Sequence, residues 1–264
     1  GFIGSHLAEK LVKLNHKITI IDNEHSGSKK NLLSILKKIN YIKKDISKYD
    51  FTDNRLKKIN CVYHLAGMSD IVPSIDNPEK YFEANVKGTL NVLEFCRKNN
   101  IKRLIYSASS SCYGKPNKFP TSETEKLSEE YPYALSKSLG EQLVLHWGKV
   151  YDLNVTSLRL FNVYGSRVRT NGAYGAVFGV FLAQKINNKP FTVVGDGRQK
   201  RDFTYVDDVV DIMVKIKDKK NTFNDYFNIG SGNSVSINKI TQILKGNKIY
   251  IPKRPGEPDI TFAD

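Results

Sequence analysis

Tyr133 and Lys137 stand four residues apart in the run Tyr-Ala-Leu-Ser-Lys. On a helix that spacing puts both side chains on one face. A nearby ammonium favours the tyrosinate and draws the phenol down from its usual value of about 10. A phenol so tuned can take a proton from a substrate hydroxyl and later return it. The same pair also arises by chance on exposed helix surfaces, so its context decides. That context is Ser107-Ala108-Ser109-Ser110-Ser111-Cys112-Tyr113-Gly114, at the end of an expected buried strand upstream of the tyrosine. In an open α/β sheet the ligand crevice lies outside the carboxyl ends of the strands. A serine there can hydrogen-bond a substrate hydroxyl beside the tyrosine, or simply cap the next segment. For Ser107 and Ser110 both roles stay open.

A second constellation opens the chain. Gly1-Phe2-Ile3-Gly4 spaces its glycines like the last two of a dinucleotide-binding turn. Without side chains, Gly1 and Gly4 let backbone approach a pyrophosphate at the start of the following helix. That helix's free N–H groups and positive dipole end favour the anion. Half a glycine fingerprint is weak alone. The next strand, however, ends in Asp22. An acid there accepts hydrogen bonds from adenosine ribose hydroxyls and repels a ribose phosphate, which favours NAD over NADP. Asp45-Ile46 could meet the adenine, and Leu65-Ala66-Gly67 ends a strand where backbone can line the dinucleotide. The first strand and first glycine of such a unit are expected upstream of Gly1, and the chain is expected to stop short after Thr261-Phe262-Ala263-Asp264.

These residues need a scaffold, and the hydrophobic periodicity supplies one. The pattern predicts helices over 5–14 and from Tyr133 to about Tyr151. A long helix carrying Phe82, Val86, Leu93 and Cys96 is expected to end near Asn99-Asn100. Strands are expected at 18–22, 41–46, 61–65, 104–108 and 155–161. Strands alternating with helices imply right-handed crossovers and a parallel sheet covered on both faces. The expected fold is therefore α/β, a Rossmann-type doubly wound sheet over residues 1–161. From 162 to 264 the pattern loosens into loops rich in Gly, Arg and Pro. A smaller substrate-binding lobe is expected there, with some segments returning to the first domain.

Composition narrows the partners. The 264 residues are 40% apolar, enough for a sizeable core. No apolar run approaches a membrane span, and no signal peptide is expected. Cys61, Cys96 and Cys112 lack metal-like spacing, so no metal site is expected. Their odd number points to a reducing cytoplasm. The formal charge of +14 is mostly lysine spread along the chain. No basic stripe interleaves with aromatics as a nucleic-acid platform requires. A basic cleft would instead attract a diphosphate.

With these motifs in place, the chain resembles the extended short-chain dehydrogenases/reductases, and most of all the NAD-dependent UDP-hexose 4-epimerases among them. The resemblance rests on Gly-Phe-Ile-Gly, Ile21-Asp22-Asn23, His64-Leu65-Ala66-Gly67, Asn85-Val86-Lys87-Gly88-Thr89, the serine run, Tyr133/Lys137 and Leu158-Arg159-Leu160-Phe161-Asn162. Gly195-Asp196-Gly197, Arg201-Asp202-Phe203, Tyr205-Val206-Asp207-Asp208 and Arg254-Pro255-Gly256-Glu257-Pro258 continue it. It implies Tyr133 as acid/base, Lys137 as its tuner and nicotinamide-ribose ligand, and Ser109 as the serine beside the substrate. It implies that Phe2, Ile3 and Asn23 join the cofactor site and that Phe161 borders the nicotinamide. Asn162, Arg201 and Arg254 would hold the diphosphate, for which an arginine fork is suited. Asn85 matches an asparagine whose role could equally be structural. Thr261, seven residues past Arg254, would flank the sugar's second carbon and leave room for an N-acetyl group. The implied activity is epimerisation at carbon 4 through a 4-keto intermediate with bound NAD, by a homodimer. A uronic acid 4-epimerase or a nucleotide-sugar reductase is the alternative within the family. A non-catalytic NAD-sensing or RNA-binding protein is the remote one. Related 4,6-dehydratases carry Thr-Asp-Glu where this chain has Ser109-Ser110-Ser111, which argues against dehydration.

Overall fold

The computed structural model describes residues 1–170, 177–253 and 258–264. Its first half alternates helix and strand: α1 (Phe2–Lys13), β1 (Ile18–Asp22), β2 (Ile39–Lys43), β3 (Cys61–His64), α2 (Ile71–Asp76), α3 (Pro78–Phe82), α4 (Gly88–Lys98), β4 (Arg103–Ser109), α5 (Pro132–Val150) and β5 (Asn154–Leu160). The second half holds β6 (Val163–Tyr164), α6 (Val177–Ile186), β7 (Phe191–Val194), β8 (Lys200–Asp202), β9 (Thr204–Tyr205), α7 (Val206–Ile216), β10 (Asp225–Ile229), β11 (Ser234–Ser236), α8 (Ile237–Leu244) and β12 (Lys248–Ile251).

Four parallel strands run in the order β10-β5-β4-β3, and β1 and β2 form a separate parallel pair. Side chains of β4 alternate between two cores, as a strand buried on both faces must. Leu104, Tyr106 and Ala108 pack with Leu93, Cys96 and Val144 on one side. Ile105 packs on the other with Leu7 and Leu11 of α1 and Val209, Val210 and Met213 of α7. Full burial of each large aliphatic side chain is worth about 1.5–3 kcal/mol. α5 lies close on β4, and Gly140 permits it. A Cβ there would sit 2.4 Å from the Tyr106 hydroxyl and 3.1 Å from the Asn85 carbonyl.

The segment beyond residue 162 does two things. α7 packs on α1 and β10 extends the parallel sheet beside β5. Phe181, Phe191, Val193, Ile237 and Ile240 form a separate small core under β7, β12 and α8.

The long helix carrying Phe82, Val86, Leu93 and Cys96 is present and ends at Lys98, and one expected strand differs in its bounds. Pro78 has no N–H to give and pushes Asn77 out of the helical region, so α2 ends and α3 starts anew. A π-helical turn over Glu83–Lys87 then leads into α4. The strand expected over 41–46 is instead Ile39–Lys43. Asp45 ends it by accepting the Ser47 N–H at 2.9 Å and the Ser47 hydroxyl at 2.8 Å. Among the described residues no helix is long and apolar enough to cross a membrane.

Candidate active site

β4 delivers its last serine to the end of the sheet. Ser109 closes the strand, and its Oγ accepts the Ser111 N–H at 3.2 Å and the Ser111 hydroxyl at 2.9 Å. Pro132 starts α5, where its missing N–H is harmless. The next residue, Tyr133, donates its N–H to Ser74 Oγ at 3.1 Å, which anchors the helix start to α2. Its ring stacks on Tyr131 and meets Tyr81 edge-on. The Tyr133 hydroxyl reaches Ser109 Oγ at 3.0 Å.

One turn along α5, Lys137 is buried. Its Nζ donates to the Ser107 carbonyl and lies 4.3 Å over the Tyr106 ring. Burial pulls its pKa down to about 7, against a smaller opposing pull from Glu141. Tyr133 is shifted upward, not downward as its pairing with Lys137 predicts. Burial raises it, and the hydrogen bonds to Ser109 and Ser111 only partly offset that. The physical reason is that a dry wall penalises tyrosinate and ammonium alike, while the ammonium is directed to a carbonyl and an aromatic face. His64 stays neutral: burial draws its pKa to about 3, and its Nε2 meets Thr89 Oγ1 at 2.9 Å.

These groups border a cleft that reaches the glycine turn. Gly1, Phe2, Ile3, Gly4, Asp22, Asn23, Asp45, Ile46, Leu65, Ala66 and Gly67 all line it, with Ser109, Tyr133 and Lys137. The donor set suits a dinucleotide. A Cβ at Gly4 would meet nothing within 4 Å, so open space lies beside the first turn of α1. The first turn of α1 carries no acidic side chain to repel phosphate. Asp22 ends β1 and lines the same cleft. Asn23 Nδ2 donates to Asp45 Oδ2 at 2.9 Å, which joins the ends of β1 and β2.

On the far side the cleft meets Asn162, Arg201 and Thr261. Asn162 Nδ2 donates to Thr261 Oγ1 at 2.8 Å and to the Asp202 carbonyl at 3.1 Å. Arg201 is buried, with Nη1 2.9 Å from the Lys200 carbonyl. Arg254 lies outside the described residues. Phe161 needs correction: its side chain does not line the cleft. It is buried with Cys112, Tyr113 and Ala263, whereas its neighbours Leu160 and Asn162 face the cleft. Successive residues of an extended chain point to opposite sides, so an aromatic between two cleft-facing residues is turned away.

Residues 1–230 match the NAD dependent epimerase/dehydratase family. The chain belongs to that family. A putative UDP-glucose 4-epimerase of Methanocaldococcus jannaschii is 34% identical, over 100% of this chain and 87% of that protein. The UDP-N-acetylglucosamine 4-epimerase of Methanobrevibacter ruminantium, solved with UDP-N-acetylmuramic acid, superposes with a TM-score of 0.94 at 32% identity, covering 100% of this chain and 86% of the other. A UDP-glucuronic acid 4-epimerase of Bacillus cereus, solved with UDP-glucuronic acid and NAD, gives 0.91 at 32% identity, covering 100% and 87%. As a member of the NAD-dependent family, this chain is an enzyme and its cofactor is NAD.

Reading the serines separately missed the role of Ser111, which joins Ser109 at the tyrosine. Ser111 lies past the end of β4 in the 3-10 turn Ser110–Tyr113, so strand alternation could not place it there. Asp70 and Arg169, paired at 2.8 Å on the cleft wall, were also missed. Ninety-nine residues separate them, and no local pattern links them. Asn85 proves structural: it clamps Met68 through both backbone groups and donates to Ser136 Oγ at 2.9 Å.

Proposed function

We propose that this enzyme is a nucleotide-sugar 4-epimerase acting on a UDP-hexose or UDP-N-acetylhexosamine. The observation that carries the reading is the 3.0 Å contact between the Tyr133 hydroxyl and Ser109 Oγ, in a cleft continuous with the glycine turn. Gly1 to Gly4, Asp22 and Leu65 to Gly67 would hold NAD, with Asn23, Asp45 and Ile46 toward the adenine. When bound, NAD supplies the site that accepts a hydride from sugar carbon 4 and gives it back. Tyr133 takes the proton of the C4 hydroxyl, which Ser109 orients, and returns it to the oxygen once the 4-keto ring has presented its other face. Lys137 has three N–H donors and spends one on the Ser107 carbonyl, which leaves others for the nicotinamide ribose. Asn162 and Arg201 face the diphosphate, and Arg254 is assigned the same role from sequence. The two lobes of the reading are residues 1–161, which carry the cofactor, and the bulk of 162–264, which carries the substrate.

The relatives' substrates support this reading, and a panel assay tests it. Purified enzyme is given UDP-glucose, UDP-N-acetylglucosamine and UDP-glucuronic acid, and the products are separated by chromatography. The expected result is a mixture of C4 epimers of one of the first two, with no net change in cofactor redox state. Preferential turnover of the uronic acid would assign a uronic acid 4-epimerase. Stoichiometric consumption of reduced cofactor would assign a reductase, and loss of water a dehydratase. A homodimer acting in the cytoplasm belongs to the same proposal, tested by light scattering and cell fractionation.

A further inference from the structure

Arg159 of β5 lies behind the cleft, buried together with Glu141 of α5. Its Nε reaches the two Glu141 oxygens at 3.0 and 3.1 Å, and its Nη2 reaches one of them at 2.6 Å. Nη1 turns the other way. It donates to the Tyr113 hydroxyl oxygen at 2.7 Å and to the Glu123 carbonyl at 3.1 Å. The Tyr113 hydroxyl in turn donates to Asn228 Oδ1 on β10 at 2.7 Å. Ser157 donates to Glu141 at 2.7 Å. The guanidinium also lies 5.1 Å from the Tyr113 ring centre and 4.1 Å from that of Tyr226.

A buried ion pair is weak evidence for stability, because desolvation offsets its attraction. What it does give is direction, since a planar guanidinium fixes its partners in a fork. The two partners here belong to the two elements that carry the proton-handling groups. Tyr113 ends the 3-10 turn Ser110–Tyr113, which starts at Ser109. Glu141 follows Tyr133 and Lys137 on α5 at successive steps of four, so the three share one face. Neither Arg159 nor Glu141 lines the cleft, and the Glu141–Arg159 pair takes no part in the proton transfer.

We propose that Arg159 is a positioning residue: by gripping Tyr113 on one side and Glu141 on the other, it sets the Tyr133–Ser109 contact from outside the cleft. Burial is the largest single influence and opposes its charge, but the hydrogen bonding and attraction of Glu141, with the bond to Tyr113, together outweigh it. The kinetic part of the inference rests on the epimerase reading; the geometric part does not. The experiment therefore has two readouts, in wild type, Tyr113→Phe and Glu141→Gln. The first is kcat and KM on whichever UDP-sugar wild type epimerises. The second is the 13Cζ resonance of Tyr133, identified by its loss in Tyr133→Phe, in protein carrying labelled tyrosine. Tyr113→Phe removes one oxygen from a preserved ring, so it keeps the test valid if Glu141→Gln fails to fold. The expected result is a fall in kcat of roughly tenfold or more in either folded variant, with KM within about twofold, as for a contact made only in the transition state. The Tyr133 resonance should move as its bond to Ser109 loosens, with melting temperature nearly unchanged in Tyr113→Phe. An unmoved resonance in Tyr113→Phe, or an unchanged kcat, overturns the positioning role. If wild type epimerises nothing, the epimerase reading fails, while the resonance still decides the geometric claim.

Discussion

At the scale of single residues, two groups are held away from their ordinary charge behaviour. Tyr133 meets Ser109 at 3.0 Å and is the only phenol hydrogen-bonded to that serine among the described residues. Tyr133→Phe is expected to leave NAD bound and remove more than nine-tenths of turnover, a barrier increase above about 1.4 kcal/mol. A variant that keeps more activity than that would show that another group moves the proton. Lys137 gives a stability prediction. Its folded pKa is drawn down to about 7 by burial, whereas in the unfolded chain it stays near about 10.4. Below the folded value both states hold the proton and the burial penalty is complete. Between the two values the unfolded state binds more protons, so stability rises with pH. Wild type should therefore gain on Lys137→Met by more than about 1 kcal/mol as the pH goes from 6 to 9. Denaturant melts at both pH values check this, and parallel curves would refute a buried ammonium. The sequence showed the Tyr/Lys pair through its spacing alone. It could not show that a dry wall would outweigh the charge between them, because burial is a property of the whole packing.

At the scale of elements, the proposed catalytic residues depend on how closely α5 lies on β4. Both elements were legible: the apolar run after Arg103 and the helical pattern from Tyr133 are strong, continuous signals. Their separation was not, and it is set by Gly140. A Cβ at that position would meet the Tyr106 hydroxyl at 2.4 Å and the Asn85 carbonyl at 3.1 Å. Tyr106 is fully buried, so its ring has nowhere to swing. Gly140→Ala must then lift the helix from the strand, and such overpacking typically costs about 1–3 kcal/mol. Because Lys137 rests on that same Tyr106 ring, turnover should fall as well as melting temperature. Unchanged stability and rate together would mean that the close approach is not needed. The helix through Phe82, Val86, Leu93 and Cys96 was legible from its spacing, but the π-helical turn over Glu83–Lys87 was not, since one widened turn leaves no distinct pattern in so short a run.

At the scale of the whole molecule, the cleft is closed on its proposed substrate side by chain brought from far apart. Residues 258–264 run back beside β8, where the Asp202 N–H donates to the Thr261 carbonyl at 2.9 Å and the Thr261 N–H to the Lys200 carbonyl at 3.0 Å. Two residues later Ala263 bridges to Thr121. Loop-rich composition marked this half as irregular but could not reveal these pairings, since Asp202 and Thr261 lie 59 residues apart and no local pattern links them. Their effect is to hold Thr261 at the cleft wall with its Oγ1 taking the Asn162 amide at 2.8 Å. A short side chain at that wall leaves space that a ring would fill. The proposed epimerase should therefore accept UDP-N-acetylglucosamine as well as, or better than, UDP-glucose. One pocket contact discriminates sugars by only about 1–3 kcal/mol, so activity on both is expected in place of absolute preference. Thr261→Tyr should lower the ratio of acetylated to plain sugar turnover by roughly tenfold or more, the lower part of that range. Thr261→Ser, which keeps the hydroxyl for Asn162 and adds no bulk, should leave the ratio near wild type and separate size from hydrogen bonding. Two outcomes would refute the assignment: wild type that ignores the acetylated sugar, or a tyrosine variant that folds and keeps the wild-type ratio.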